Sequence, residues 1–373
     1  MTLVSRPTPE GTKSRRLVAL DALRAVAVLL VLGRHLPPVE GELPPTVPAL
    51  LHYWKRIGWM GVDLFFVLSG FLVAGLLFTE HARHGRIRPL RFLVRRGFKI
   101  YPGFYLLLGA TWLWRHGQVP AGRFLAEALF VQNYFPAVWN HTWSLAIEEH
   151  FYLALTLLLW SWSRGREGPR AFRGLPGLSA VLFALVLALR IRAFAPFPRG
   201  YLLLPTHFRV DALLFGALLA YGWTFHRERL AVLAHRWRWA IAGASLVLLL
   251  PCLLLPLEDS LAVNTVGLTG NYLGFGGLVI LVVASAARGA PRMERALAPL
   301  APIGVFSYSI YLWHMPVALA VHLLDLGRFG WAVAALVYLA GSLVVGIAAA
   351  LAMEIPILRL RDRIIPSATA PPA

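Results

Sequence analysis

Ten stretches of apolar residues, each close to the length that crosses a lipid bilayer, constrain this chain more than any other feature. They fall near residues 17–36, 57–79, 98–114, 145–162, 175–194, 206–224, 238–256, 268–287, 299–323 and 330–353, each bounded by Pro, Gly or charge. A helix rises about 1.5 Å per residue, so roughly 20 apolar residues cross a hydrocarbon core of about 30 Å. The chain is 58% hydrophobic and only 14% charged over 373 residues, with a mean hydropathy of +0.64. A soluble domain is apolar over only about half its residues, so lipid is the solvent for most of this one. The predicted fold class is all-α, a polytopic membrane helical bundle of about ten transmembrane helices.

Formal charge is +18, with a pI near 11.0. In a soluble protein that balance points to nucleic acid, but here the basic residues sit in short blocks between apolar runs, as the positive-inside rule requires. Arg-rich segments at 81–99, 164–173, 226–238, 288–295 and 359–363 alternate with Pro-rich, polar or acidic segments at 37–48, 118–140, 196–205 and 258–264. The alternation closes with an even number of spans and places both termini in the cytoplasm. The expected organisation is a cytoplasmic segment 1–16, a transmembrane domain 17–358 and a cytoplasmic tail 359–373. The first apolar run ends in Pro37-Pro38 and lacks a small-residue cleavage site, so it reads as a retained span. Cys252 is the only cysteine, which excludes intrachain disulfides and thiolate metal clusters, and no metal site is expected. No internal repeat of the kind many secondary transporters carry is visible.

Ionisable groups inside spans are costly and mark functional candidates. Arg24 and His35 lie eleven residues apart in the first run, roughly 20° from a whole number of turns, so they share one helix face about 16 Å apart. A donor gripped at Arg24 would reach His35 near the opposite surface; a snorkelling Arg and an interfacial His are the plainer alternative. In the fourth run Ser144, Glu148 and Tyr152 recur every four residues and share a face, while Glu149 is rotated by about 100°. Glu148 is expected to orient His35 as a general base, or else to cap the span mouth together with Glu149. Arg95, Arg96 and Lys99 lead into the third run, where phosphate binding and positive-inside charge explain them equally well. Asp63, Arg209 and Asp211 place further charge at span ends, either as structural ion pairs or as substrate contacts. Tyr311 and His314 lie within Ser307-Tyr-Ser-Ile-Tyr-Leu-Trp-His314, where His314 either bonds across helices or lines a donor tunnel.

These segments, in this order, resemble the acyltransferase-3 family of bacterial membrane proteins. The resemblance rests on Leu20-Asp-Ala-Leu-Arg24 with His35, Gly61-Val-Asp-Leu-Phe-Phe-Val-Leu-Ser-Gly70, Arg95-Arg96, Thr142-Trp-Ser-Leu-Ala-Ile-Glu148, 209–216 and 307–314, and it covers nearly the whole chain. It implies a ten-helix core that moves an acyl group, acetyl above all, from acyl-CoA to a hydroxyl of a carbohydrate, envelope glycan or glycosylated metabolite. Arg24 and His35 match the family's essential pair, and Glu148 matches its Trp-Ser-Leu-x-x-Glu motif. Acyl-CoA is then a co-substrate, with no permanently bound cofactor. Lys99 stands where a third Arg is common, and His150 where Gln is usual. Many relatives continue into a further span and an extracytoplasmic hydrolase-like domain. The sequence runs to Ala373 without them, so an extracellular glycan is expected to be modified by the core alone or with a separate extracytoplasmic partner.

The expected location is the cell inner membrane. His35 acts either as a base toward the acceptor hydroxyl or as a covalent acyl carrier. A carrier or flippase for a lipid-linked sugar is the alternative from another class, since intramembrane charge also lines translocation paths. A structural or sensing subunit, with charges that only pair helices, is the third reading.

Overall fold

The computed structural model describes residues 10–38, 43–115, 117–194, 201–258 and 260–366. The start of the predicted N-terminal segment, the middle of the 37–48 connection, the first half of the 196–205 connection and the tail beyond 366 lie outside the described residues. Sixteen α-helices follow one another, with no strand among the described residues. They are α1 (Glu10–Arg34), α2 (Ala49–Ile57), α3 (Met60–His84), α4 (Pro89–Arg115), α5 (Ala121–Ala128), α6 (Trp143–Ser163), α7 (Leu175–Ala193) and α8 (Val210–Phe225). Then come α9 (Arg227–Arg236), α10 (Arg238–Leu254), α11 (Leu268–Ala287), α12 (Pro291–Leu297), α13 (Ala301–Val305), α14 (Ser307–Leu323), α15 (Trp331–Ala349) and α16 (Ile355–Ile364).

Every predicted apolar run falls on a helix, but the runs are not equally suited to lipid. Among the described residues, four helical segments are long and apolar enough to cross a membrane, namely Met60–His84, Gly168–Ala193, Val263–Ala287 and Trp331–Ile364. Helices α9 and α10, bent by 80° at their junction, make up to five if taken as one span. Part of the shortfall from ten is length, since α8 and α14 have 16 and 17 residues, and part is charge in helices that bear the candidate site. Helix α1 carries Asp21, Arg24 and Arg34, α4 carries Arg95, Arg96 and Lys99, and α6 carries Glu148 and Glu149. Such charges are tolerated only where helices cover them.

Helices α1 and α3 sit at the centre. Helix α3 packs along α8, α1, α11 and α6, while α1 also meets α13, α11, α2 and α14. Without a hydrophobic force between apolar helices in lipid, close packing depends on small residues. A Cβ at Gly61 would lie 2.4 Å from the Ala27 carbonyl oxygen of α1. Along the α3–α8 contact a Cβ at Gly70 would stand 1.9 Å from Leu213 O, and one at Gly216 would stand 2.1 Å from Val67 O. Gly70→Ala is therefore expected to destabilise the bundle by about 1–3 kcal/mol. Thermal unfolding of the detergent-purified protein measures it, and an unchanged midpoint would contradict this packing.

Two π-helical turns break the regularity. The turn at 350–354 joins α15 to α16 and swings Glu354 inward, and the turn at 263–267 leads into α11. Such turns often mark functional positions.

Candidate active site

Helices α1, α3, α4, α6 and α14 enclose a narrow slot of about 60 Å3. Its walls include Arg24, Ser69, Arg96, Lys99, Glu148 and Tyr308. The predicted face of α6 is realised: Ser144, Glu148 and Tyr152 all turn into the bundle, whereas Glu149 is rotated away and accepts a hydrogen bond from Tyr101 at 2.9 Å. Tyr152 donates to Glu148 at 2.5 Å, and Ser69 donates to its other oxygen at 3.1 Å. Arg96 donates to Tyr152 Oη at 2.6 Å, stands 3.6 Å from Glu148 and stacks over the Tyr152 ring. Lys99 is paired with Glu354, which also accepts from Ser309 at 2.6 Å, so the π turn at 350–354 supplies the counter-charge. Arg24 lies 3.5 Å from Asp21, one turn earlier on α1. The slot thus holds three cations, each beside one carboxylate, and the buried Arg96 Nε has no protein partner.

Arg95 does not join this group. Its guanidinium bonds Asp362 at 2.8 Å and also the Ile365 carbonyl, so it ties α4 to α16. Adjacent residues on a helix point about 100° apart, and only Arg96 and Lys99 share the inward direction.

A second chamber of about 420 Å3 opens where α1 ends. His35, Trp59, Gln132, His141, Trp143 and Arg209 line it. The two cavities have Val62 and Tyr311 in common. Tyr311 donates to the His141 carbonyl at 2.5 Å, and Ser144 Oγ lies 2.6 Å from Tyr311 Oη, so this phenol is held in the partition between them.

Glu148 is not the partner of His35, contrary to the expectation from sequence. Its oxygens are engaged by Ser69, Tyr152 and Arg96 at the slot, while His35 Nδ1 faces His314 Nε2 at 3.2 Å and the Val31 carbonyl at 3.1 Å. The network sets the proton positions. His314 Nδ1 lies 2.5 Å from the Tyr311 carbonyl, which only accepts, so His314 Nδ1 carries the proton and its Nε2 is an acceptor. His35 Nδ1–H donates toward it and toward Val31, which leaves Nε2 of the neutral His35 ring with a bare lone pair. His141 Nε2–H donates to the Leu312 carbonyl at 3.1 Å, and its ring centroid lies 5.0 Å from that of His314. His314 is fully buried and lines neither cavity.

Asp63 and Asp211 stand behind the walls in buried ion pairs. Asp63 pairs with Arg209 and accepts from Asn271 at 2.6 Å. Asp211 takes both oxygens to Arg190 Nη2 at 2.6 and 2.7 Å, and Arg190 Nε also donates to the Phe208 carbonyl at 2.7 Å. Arg209 and Asp211, neighbours in sequence, thus hold different helices. Of the predicted substrate contacts, Ser144, Arg209 and Tyr311 line a cavity.

Arg190, Glu354, Ser69, Asn271 and His141 were not singled out from sequence. The first two carried a readable signal, charge within or at the edge of an apolar run: Arg190 stands with Arg192 in 175–194, and Glu354 directly follows 330–353. The others are small or neutral polar residues whose roles depend on which helix faces them.

The chain matches, over residues 17–352, a family model described as an acyltransferase domain. It is 27% identical over 331 residues to the peptidoglycan O-acetyltransferase OatA of Listeria monocytogenes, covering 82% of this chain and 50% of that protein. It is 28% identical over 332 residues to the O-acetyltransferase OatA of Staphylococcus aureus strain NCTC 8325, covering 83% of this chain and 51% of that protein. The chain therefore spans about half the length of these curated relatives. No solved structure matches it. With the family model taking in nearly all of the sequence, this chain belongs to the acyltransferase-3 family.

Proposed function

We propose that the protein is a membrane O-acyltransferase that moves a short acyl group, acetyl above all, from acyl-CoA to a carbohydrate hydroxyl. The observation that carries this reading is the pair of cavities with different chemistry that meet at Val62 and Tyr311. The slot, lined by Arg24, Arg96 and Lys99, suits an anionic donor. The chamber, lined by His35, Gln132 and aromatic rings, suits a hydroxylated acceptor. In this reading the basic end of the bundle faces the cytoplasm, the His35 end faces outward, and the ten helices that carry the apolar runs cross the inner membrane.

The proposed donor phosphates take the N–H groups of Arg96 that Tyr152 leaves free and the ammonium of Lys99, competing with Glu148 and Glu354 for them. Arg24, deeper in the slot, grips the arm nearer the thioester. Arg95 has no part in this; it fastens α16. At the junction His35 Nε2 accepts the proton of the acceptor hydroxyl, and the oxygen attacks the thioester carbonyl. The C–S bond breaks, the new ester forms, and the CoA thiolate leaves with the proton returned from His35. His314 holds the His35 ring and shares the developing positive charge through the Nδ1–H···Nε2 bond. A covalent acyl-His35 relay uses the same lone pair.

A carrier for lipid-linked sugar is not favoured. Family membership argues against it, and the partition at Tyr311 separates two sites where a carrier needs one path.

The test is transfer of radiolabelled acetyl from acetyl-CoA to soluble glycan fragments by the protein in nanodiscs. Arg96→Gln removes a charge-assisted donor and is expected to raise KM for acetyl-CoA about tenfold, with a smaller effect on kcat. Unchanged KM, or no transfer to any glycan by folded wild-type protein, would sink the reading.

A further inference from the structure

We infer that the cavity beside the reaction chamber seats a membrane-anchored acceptor, a sugar carried on a lipid phosphate. The inference rests on the acyltransferase reading and names the acceptor's class.

The cavity, about 810 Å3, is larger than the His35 chamber and lies between the end of α4, the start of α5, the end of α14 and the start of α15. It meets the His35 chamber at Ala137 and Asn140, which line both. On its other flank it meets a cleft of about 240 Å3 at Trp139 and Leu319, again common to both. That cleft runs between α4 and α14 and is walled by Leu107, Trp114, Trp313, Pro316 and Leu323. Trp114 and Leu323 are exposed, so the cleft opens sideways onto the apolar flank of the bundle. The three spaces thus form one course, from the lipid-facing flank through a polar cavity to His35.

The chemistry changes along that course in the order of an amphiphile. The cleft offers hydrocarbon and indole, which suits a lipid tail. The cavity offers Arg115 and Arg123 against a single carboxylate, Asp325, which suits an anionic group. Guanidinium matches phosphate in both charge and geometry. Trp139 and Trp331 bound the same cavity with flat, partly apolar faces against which a sugar ring packs. Trp139 is held in place by its Nε1–H bond to Thr111 Oγ1 at 3.0 Å. A free sugar has no use for the apolar cleft, and an ordinary phospholipid has none for the opening toward His35. A lipid-phosphate-linked sugar uses all three parts.

The test uses the full chain in nanodiscs of zwitterionic lipid, with fluorescent polyprenyl diphosphate N-acetylglucosamine as the probe. Saturable binding is expected, competed by polyprenyl phosphate and not by inorganic phosphate or the free sugar. Arg115→Gln with Arg123→Gln should weaken it at least about tenfold. Leu319→Trp, which fills the cleft and leaves the charges, should weaken it independently. Equal binding by wild type and both variants overturns the inference, as does equal displacement by phosphatidylglycerol, which marks the cleft as a seat for ordinary lipid. Acetyl transfer to a soluble glycan is measured in the same preparation. Transfer without probe binding overturns the lipid-linked acceptor alone. Arginine-dependent binding without transfer to any glycan supports the site while removing the acyltransferase reading.

Discussion

Replacing His35 with alanine is expected to lower acyl transfer about 10²–10⁴-fold, the range a positioned general base contributes. The fold should be untouched, because His35 is half-buried beyond the last turn of α1 and anchors no other helix through a charge. The companion variants at position 314 separate positioning from bulk. His314→Ala removes the acceptor that His35 Nδ1–H faces at 3.2 Å, leaving the Val31 carbonyl to orient the ring alone. His314→Gln restores an acceptor oxygen and should recover part of the lost kcat, with KM for the donor unchanged in both. Equal kcat for His314→Ala and His314→Gln, or an active His35→Ala enzyme, would contradict the arrangement. The measurement is steady-state transfer from labelled acetyl-CoA, with thermal unfolding as the folding control.

Asp211→Ala should have the largest effect on stability, about 3–5 kcal/mol, because it strands a buried guanidinium. Arg190 is 1% exposed and Asp211 fully buried, joined by two bonds to one Nη2. The pair locks α7 to α8, and Arg190 reaches α11 through Thr269 at 3.1 Å. Losing the carboxylate also frees the start of α8, where Asp211 accepts the Ala212 N–H at 3.1 Å. Asp211→Asn keeps some of these bonds and should cost less. Fluorescence-detected size-exclusion after heating ranks the variants, and wild-type behaviour by Asp211→Ala would refute the structural role.

Apolar periodicity alone located the helices that matter, since every predicted run falls on one. It did not settle how many cross a membrane. The charges on α1, α4 and α6 lower the hydropathy of the very helices that build the candidate site. The site was legible where it depends on spacing along one helix. Arg24 and His35 end in adjoining cavities, and the Ser144, Glu148, Tyr152 face points inward as the four-residue period requires. It was not legible where it depends on which helices meet. Glu148 and His35 come from α6 and the end of α1, and nothing in their sequence positions reports that Arg96 captures one and His314 the other. Arg95 and Arg96 are equivalent as a motif and opposite in role, because one step along α4 turns the side chain from the slot to α16. Arg209 and Asp211 likewise stand two residues apart, and only the helices around them select their partners, Asp63 for the first and Arg190 for the second.

Sidedness tests the central claim most directly. Oriented proteoliposomes would hold labelled acetyl-CoA on the side of Arg96 and Lys99, with a membrane-impermeant glycan on the side of His35. Label in the glycan, lost when donor and acceptor exchange sides, is what two cavities meeting at Tyr311 predict. Transfer only when both substrates share one side would contradict them.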